Sequence, residues 1–142
     1  MSKRIIVVDD HDVVRQGVRR ILLNHAEWQV VGEAENGFEA VEKTKALSPD
    51  LVILDISMPG KGGLEVIGEL VHMGTQSKIL VLTMHDSKEL SDLVRKSGAA
   101  GYVSKGHAAR DLPRALQEIF EGGTFFPADP PGSAKPASSA SA

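Results

Sequence analysis

The chain has 142 residues, no cysteine, 42% hydrophobic and 25% charged residues, and a formal net charge of −3. That length and composition suit one globular domain with a real core. They exclude disulfides and thiolate metal sites, and they offer no basic face for nucleic acid.

In chain order, short apolar runs alternate with amphipathic ones. Ile5–Val8 opens the series as a strand, too short for a signal-peptide core. Val14, Val18, Ile21 and Leu22 then repeat at helical spacing. Trp28–Val31 reads as the second strand, and Phe38 and Val41 begin a weaker helix ending near Ser48-Pro49. Leu51–Leu54 is the third strand, followed by a helical stripe of Leu64, Ile67 and Val71. Ile79–Leu82 is the fourth; the next helix opens at "DSKE", where Asp86 and Glu89 have capping-box spacing, and ends near Gly98. Tyr102–Val103 is the fifth strand, and Leu112, Leu116, Ile119 and Phe120 form the last stripe, stopped by Gly122-Gly123.

No run approaches membrane-spanning length, so a cytoplasmic domain without a membrane partner is expected. Five βα repeats predict an α/β, doubly wound parallel sheet, flavodoxin-like, in the order 2-1-3-4-5. The domain is expected over residues 1–126. Residues 127–142, "PADPPGSAKPASSASA", read as a Pro/Ala/Ser-rich tail or linker with no output domain after it.

Ligands of such sheets sit beyond the C-terminal strand ends. Strand 1 ends on Asp9-Asp10, strand 3 on Asp55, strand 4 on Thr83 and strand 5 on Ser104-Lys105. Strand 2, ending on Ala34-Glu35, falls to the side. Singly, each has an ordinary explanation: Asp9-Asp10 as helix caps, Asp55 as a turn former, Thr83 as a β-former and Lys105 as a surface charge. Together they do not. Strands lie ~4.8 Å apart, and a like-charged carboxylate pair roughly 5 Å apart costs about 3 kcal/mol at an effective dielectric near 20. The cluster therefore demands a counter-charge or a raised pKa. An all-oxygen set suits a hard cation such as Mg²⁺. Lys105 offers a mobile charge for a phosphate and Thr83 a hydroxyl, which makes Asp55 intelligible as a phosphoryl-accepting nucleophile.

The strings "VVDDHDVVRQGV", "DISMPGKGGLEV", "LTMHD", "GAAGYVSK" and "EGGTFF" closely resemble the receiver domain of bacterial two-component response regulators, in the NarL/FixJ branch. The family pattern D-x-x-M-P-x-x-x-G falls on Asp55, Met58, Pro59 and Gly63. The resemblance implies phosphorylation of Asp55 by a sensor histidine kinase, with homodimerisation on phosphorylation as one outcome. Asp9, Asp10, Asp55 and the backbone carbonyl of Ser57 would hold Mg²⁺, or Mn²⁺ in its place. Thr83 and Lys105 would bind the phosphoryl group, and Thr83 and Tyr102 would form the switch. Ser57, Met84 and His85 fall where the family tunes access and phosphate lifetime; the alternative for Met84 is packing on the following helix.

Three departures stand out. Gly106 follows the lysine where many receivers have a cis proline, Asp12 stands where this branch often has proline, and Gly62 where an aspartate is common. The branch regulates transcription through a C-terminal helix-turn-helix. Here the chain is expected either to stand alone as a receiver or to be the receiver portion of such a regulator, binding no nucleic acid itself and acting as a phosphoacceptor rather than an enzyme. Two rivals share the chemistry only in part. A haloacid-dehalogenase-like phosphatase would use Asp10, Asp12 and Val14 as D-x-D-x-[TV], but leaves Asp55 unexplained. A pseudo-receiver interaction module would lack part of the acid-Thr-Lys set.

Overall fold

The structure, a computed structural model, describes residues 2–58, 60–84 and 87–126. Its elements run β1 (Lys3–Val8), α1 (Asp12–Leu23), β2 (Trp28–Ala34), α2 (Gly37–Leu47), β3 (Leu51–Asp55), α3 (Gly63–His72), β4 (Lys78–Thr83), α4 (Lys88–Ser97), β5 (Gly101–Ser104) and α5 (Ala108–Phe120). The five strands pair in parallel in the order β2-β1-β3-β4-β5, as the alternation of apolar runs predicted.

Successive strand residues point to opposite faces, and here both faces are apolar. Ile6, Val8, Val52, Leu54, Ile79, Val81 and Tyr102 face α2, α3 and α4. Ile5, Val7, Leu51, Ile53, Leu80, Leu82 and Val103 face α1 and α5. Ile5–Val8 of β1 and Leu51–Leu54 of β3 are therefore continuous apolar runs, and each fully buried aliphatic side chain contributes roughly 1.5–3 kcal/mol. Among the described residues no helix is long and apolar enough to cross a membrane.

Several boundaries and faces differ from the sequence reading. β2 runs on to Ala34 because, after a register shift opposite Ile5/Ile6, Gly32, Glu33 and Ala34 pair with Ile6, Val7 and Val8. An edge strand needs no continuous apolar run, which hid this extension. α3 is rotated from its expected stripe: Val66, Ile67 and Leu70 are buried whereas Val71 is 50% exposed. In α2 the buried residues are Gly37, Ala40, Val41 and Thr44, and Phe38 is left outside under the Lys61 ammonium, 4.9 Å from its ring centroid. α4 is capped by Ser87, whose side chain accepts a hydrogen bond from the Leu90 amide; Asp86, expected to open it, lies outside the described residues. α5 stops where the glycines predicted, with Gly122 at φ 97, a left-handed conformation glycine adopts without a Cβ clash. The chain then turns back along β5: the Tyr102 amide donates to the Phe125 carbonyl, and the Phe125 amide to that of Ala100. The expected tail at 127–142 lies outside the described residues.

Candidate functional site

The register carries the acidic residues to one edge. Val8 pairs with Leu54, so Asp9 emerges beside Asp55, the last residue of β3. Asp55 in turn pairs with Leu82, and Thr83 with Ser104, which puts Thr83 and Lys105 on the far side of Asp55. The loop after Asp55 is fixed from both ends. Met58 is buried in the α2–α4 face. Gly63 sits so close to the backbone that a Cβ there would lie 2.5 Å from Ile56 Cα and 2.8 Å from the Asp55 carbonyl oxygen. That approach is why the family spacing requires glycine at 63. Pro59, between them, lies outside the described residues.

Asp9 and Asp55 are 1% and 2% exposed, and the Lys105 side chain reaches back from beyond β5 to contact both. Its Nζ is 2.8 Å from Asp9 Oδ2 and 3.5 Å from Asp55 Oδ1. Asp55 Oδ1 also accepts from the Ser57 amide at 3.1 Å. Burial pushes the Asp55 carboxyl above the ordinary aspartate range; the Ser57 amide pulls it down, the charge of Asp9 pushes it up, and Lys105 again opposes the rise. The crowding of carboxylates thus meets both remedies that electrostatics allows, a counter-charge and a raised pKa.

Neither Asp9 nor Asp10 caps α1. His11 is the N-cap residue, with no side-chain capping bond, while Asp9 Oδ1 accepts from the His11 amide at 2.8 Å. Asp9 Oδ2 and Asp10 Oδ1 are buried without a hydrogen-bond donor; Lys105 forms an ion pair with the first, and His11 Nδ1 lies 3.1 Å from the second. Ligand atoms of Asp9, Asp10, His11 and Asp55 all lie within 4.8 Å of one another. Buried carboxylate oxygens without hydrogen-bond donors, converging at this spacing, fit a hard divalent cation.

Other expected residues are placed as follows. Thr83 is fully buried at the end of β4. Tyr102 is fully buried on the α4 face, and its hydroxyl accepts from the Ser87 amide at 3.4 Å, linking β5 to the start of α4. Ser57 is exposed and reaches the cluster through its amide. Met84 is 72% exposed. His85 lies outside the described residues. No cis peptide bond occurs among the described residues, so Lys105-Gly106 is trans. Asp12 opens α1 and accepts from Arg15 at 3.0 Å and Gln16 at 2.8 Å, away from Asp55. Asp12 is not among the clustered ligand atoms, so the phosphatase reading is not favoured. Gly62 serves as N-cap of α3, its amide donating to Glu65.

Two residues escaped the sequence reading. His11 is one, by its contacts to Asp9 and Asp10. The other is Arg15, 8% exposed, whose guanidinium donates to the Asp9 carbonyl at 2.6 Å, to Glu33 at 2.9 Å and to Asp12 at 3.0 Å. It pins the loop that carries the acidic pair to α1 and β2. The one signal in the sequence is an arginine on the apolar side of a helix, next to Val14 and Val18.

A doubly wound sheet with an acidic edge answered by one lysine defines a class, and comparison with known proteins names it. The family model described as "Response regulator receiver domain" matches residues 5–117, and the chain belongs to that family. It is 40% identical over 125 residues to the response regulator UvrY of Escherichia coli O6:H1, covering 88% of this chain and 57% of the relative. The chain thus spans little more than half the length of that curated relative. Among solved structures it resembles the signal receiver domain of the putative response regulator NarL from Mycobacterium tuberculosis, with a TM-score of 0.80 and 32% identity over 85% of this chain and 98% of that one. It also resembles the isolated receiver domain of RcsB from Salmonella enterica serovar Typhimurium, solved with the phosphomimetic BeF₃⁻, with a TM-score of 0.83 and 31% identity over 89% and 94% of the two chains.

Proposed function

We propose that Asp55 accepts a phosphoryl group from a phosphohistidine of a sensor kinase. The observation that carries this reading is a buried carboxylate at a strand end with Lys105 bridging it to Asp9. An Asp55 oxygen attacks phosphorus, a P–O bond forms, the P–N bond to the histidine breaks, and the leaving imidazole takes a proton. Asp9, Asp10, Asp55 and the Ser57 carbonyl would hold Mg²⁺, or Mn²⁺, which supplies positive charge to the phosphoryl oxygens. Lys105 exchanges its bond to Asp9 for a phosphoryl oxygen, and the Thr83 hydroxyl donates to another. Tyr102, bonded to the start of α4, carries the change outward.

Water later hydrolyses the acyl phosphate, so the domain is a phosphoacceptor in signalling rather than an enzyme acting on other substrates. The reading extends to a cytoplasmic regulator that dimerises when phosphorylated and controls transcription through a partner or an output domain. Residues 1–126 would be the receiver and 127–142 its linker or tail, which the Pro/Ala/Ser composition supports. Incubation with acetyl phosphate and Mg²⁺ tests the core of this. One acid-stable, base-labile phosphate should appear on the wild type and none on Asp55→Asn; equal labelling of both would refute the reading.

A further inference from the structure

The geometry points to His11 as a nitrogen ligand of the cation site, one that biases it toward Mn²⁺ and other first-row transition ions over Mg²⁺. The inference rests on the reading of the acidic edge as a divalent-cation site. His11 Nδ1 lies 3.2 Å from Asp9 Oδ1 and 3.1 Å from Asp10 Oδ1. Ligand atoms about 2.1 Å from an octahedral ion sit about 3 Å from their neighbours, so the imidazole already stands at ligand spacing from both carboxylates. Its backbone is fixed there by the amide bond to Asp9 Oδ1 at 2.8 Å.

Among the described residues, nothing else uses this side chain. The ring is 66% exposed, makes no capping bond, and has only these two carboxylates as ion-pair partners among the described residues. The neighbouring Asp10 Oδ1 is buried without a hydrogen-bond donor, so a cation shared by the two would satisfy it. The chemistry then sets the preference. Mg²⁺ favours an all-oxygen shell, while neutral imidazole is a good ligand for transition divalents. An O,N set at this edge separates the two classes of ion where an all-carboxylate set would not.

The test uses the full chain without phosphodonor, with Mn²⁺ alone as the spectroscopic probe and Mg²⁺ as competitor. Pulsed EPR of bound Mn²⁺ should show coupling to one imidazole ¹⁴N in the wild type. The coupling should vanish in His11→Phe, which keeps ring bulk at an exposed position. The ratio of Mn²⁺ to Mg²⁺ affinity, measured by calorimetry, should fall about tenfold in that variant, a loss of the size seen when one supporting group leaves a metal site. Mn²⁺ bound without nitrogen coupling, or coupling and ratio unchanged in His11→Phe, would overturn the role of His11. Asp10→Ala separates the two levels. If Mn²⁺ binding survives that change undiminished, the ion sits elsewhere and the cation-site reading itself fails.

Discussion

Asp55 is an aspartate that its surroundings hold in a costly state. Its carboxyl is pushed above the ordinary range chiefly by burial, so the folded protein binds that proton more tightly than the unfolded chain does. Stability from this group therefore falls as pH rises through the window between the unfolded value, about 3.9, and the raised folded value. Above that window the penalty is fully present; below the unfolded value it is absent. Asp55→Asn should accordingly raise the melting temperature of the metal-free protein by a few degrees at pH 7. The gain should shrink on acidification through the window. A gain that stays constant or grows toward low pH, followed by thermal melts across that range, would contradict the assignment. Met84 follows Thr83, the last residue of β4, and is 72% exposed; we propose that its flexible thioether limits access to Asp55. Met84→Ala should speed phosphorylation by acetyl phosphate severalfold with Mg²⁺ affinity nearly unchanged; identical rates would leave Met84 without a gating role.

At the scale of elements, α1 does more than cover the sheet. Arg15 reaches from it to the Asp9 carbonyl and to Glu33 of β2, while Arg19 holds the other Glu33 oxygen at 2.9 Å. Removing a charged donor from such a network costs about 2 kcal/mol, and here it also frees the loop that carries Asp9 and Asp10. Arg15→Ala should lower the melting point and weaken Mg²⁺ binding together. Arg15→Lys, which keeps one donor but not the fork, should recover stability more than Mg²⁺ affinity. Chemical denaturation alongside metal titration reads both. Equal affinity in wild type and both variants would make Arg15 a purely structural residue.

This is also where the sequence was least legible. Strand ends reveal themselves because an apolar run stops on a polar residue, and so Asp9, Asp55, Thr83 and Lys105 could be read directly. The bond of Arg15 to Glu33 is set by how α1 docks across the β1 and β2 ends, which no linear spacing encodes, while the contacts of His11 follow from the tight turn between β1 and α1. The face of α3 went astray for a related reason. Leu64, Ile67 and Val71 form a valid stripe, but Val66, Ile67 and Leu70 form another one residue round, and only the neighbouring elements decide between them. The return of Phe125 onto β5 was likewise hidden, since one bridging residue leaves no periodicity.

Across the described residues, two apolar layers pack on either face of the sheet, and the acidic cluster lies beyond the C-terminal ends of its strands. β5, the outermost strand, is covered by the turn back through Phe125. Residues 128–142 are rich in Pro, Ala and Ser with almost no bulky apolar side chains, so little packing is expected of them. Deleting them should leave both the melting temperature and phosphorylation nearly unchanged, and the chain should show no sequence-specific DNA binding in either state. A melting point lowered by several degrees, or a nanomolar footprint at physiological salt, would overturn that division of labour.

The central claim is that Asp55 carries the phosphoryl group. Hydroxylamine trapping of the acyl phosphate after treatment with acetyl phosphate and Mg²⁺, followed by peptide mass mapping, tests it most directly. The modified residue should be Asp55, at up to one per chain and only with Mg²⁺ present. Modification at Asp10, or at no aspartate, would contradict it.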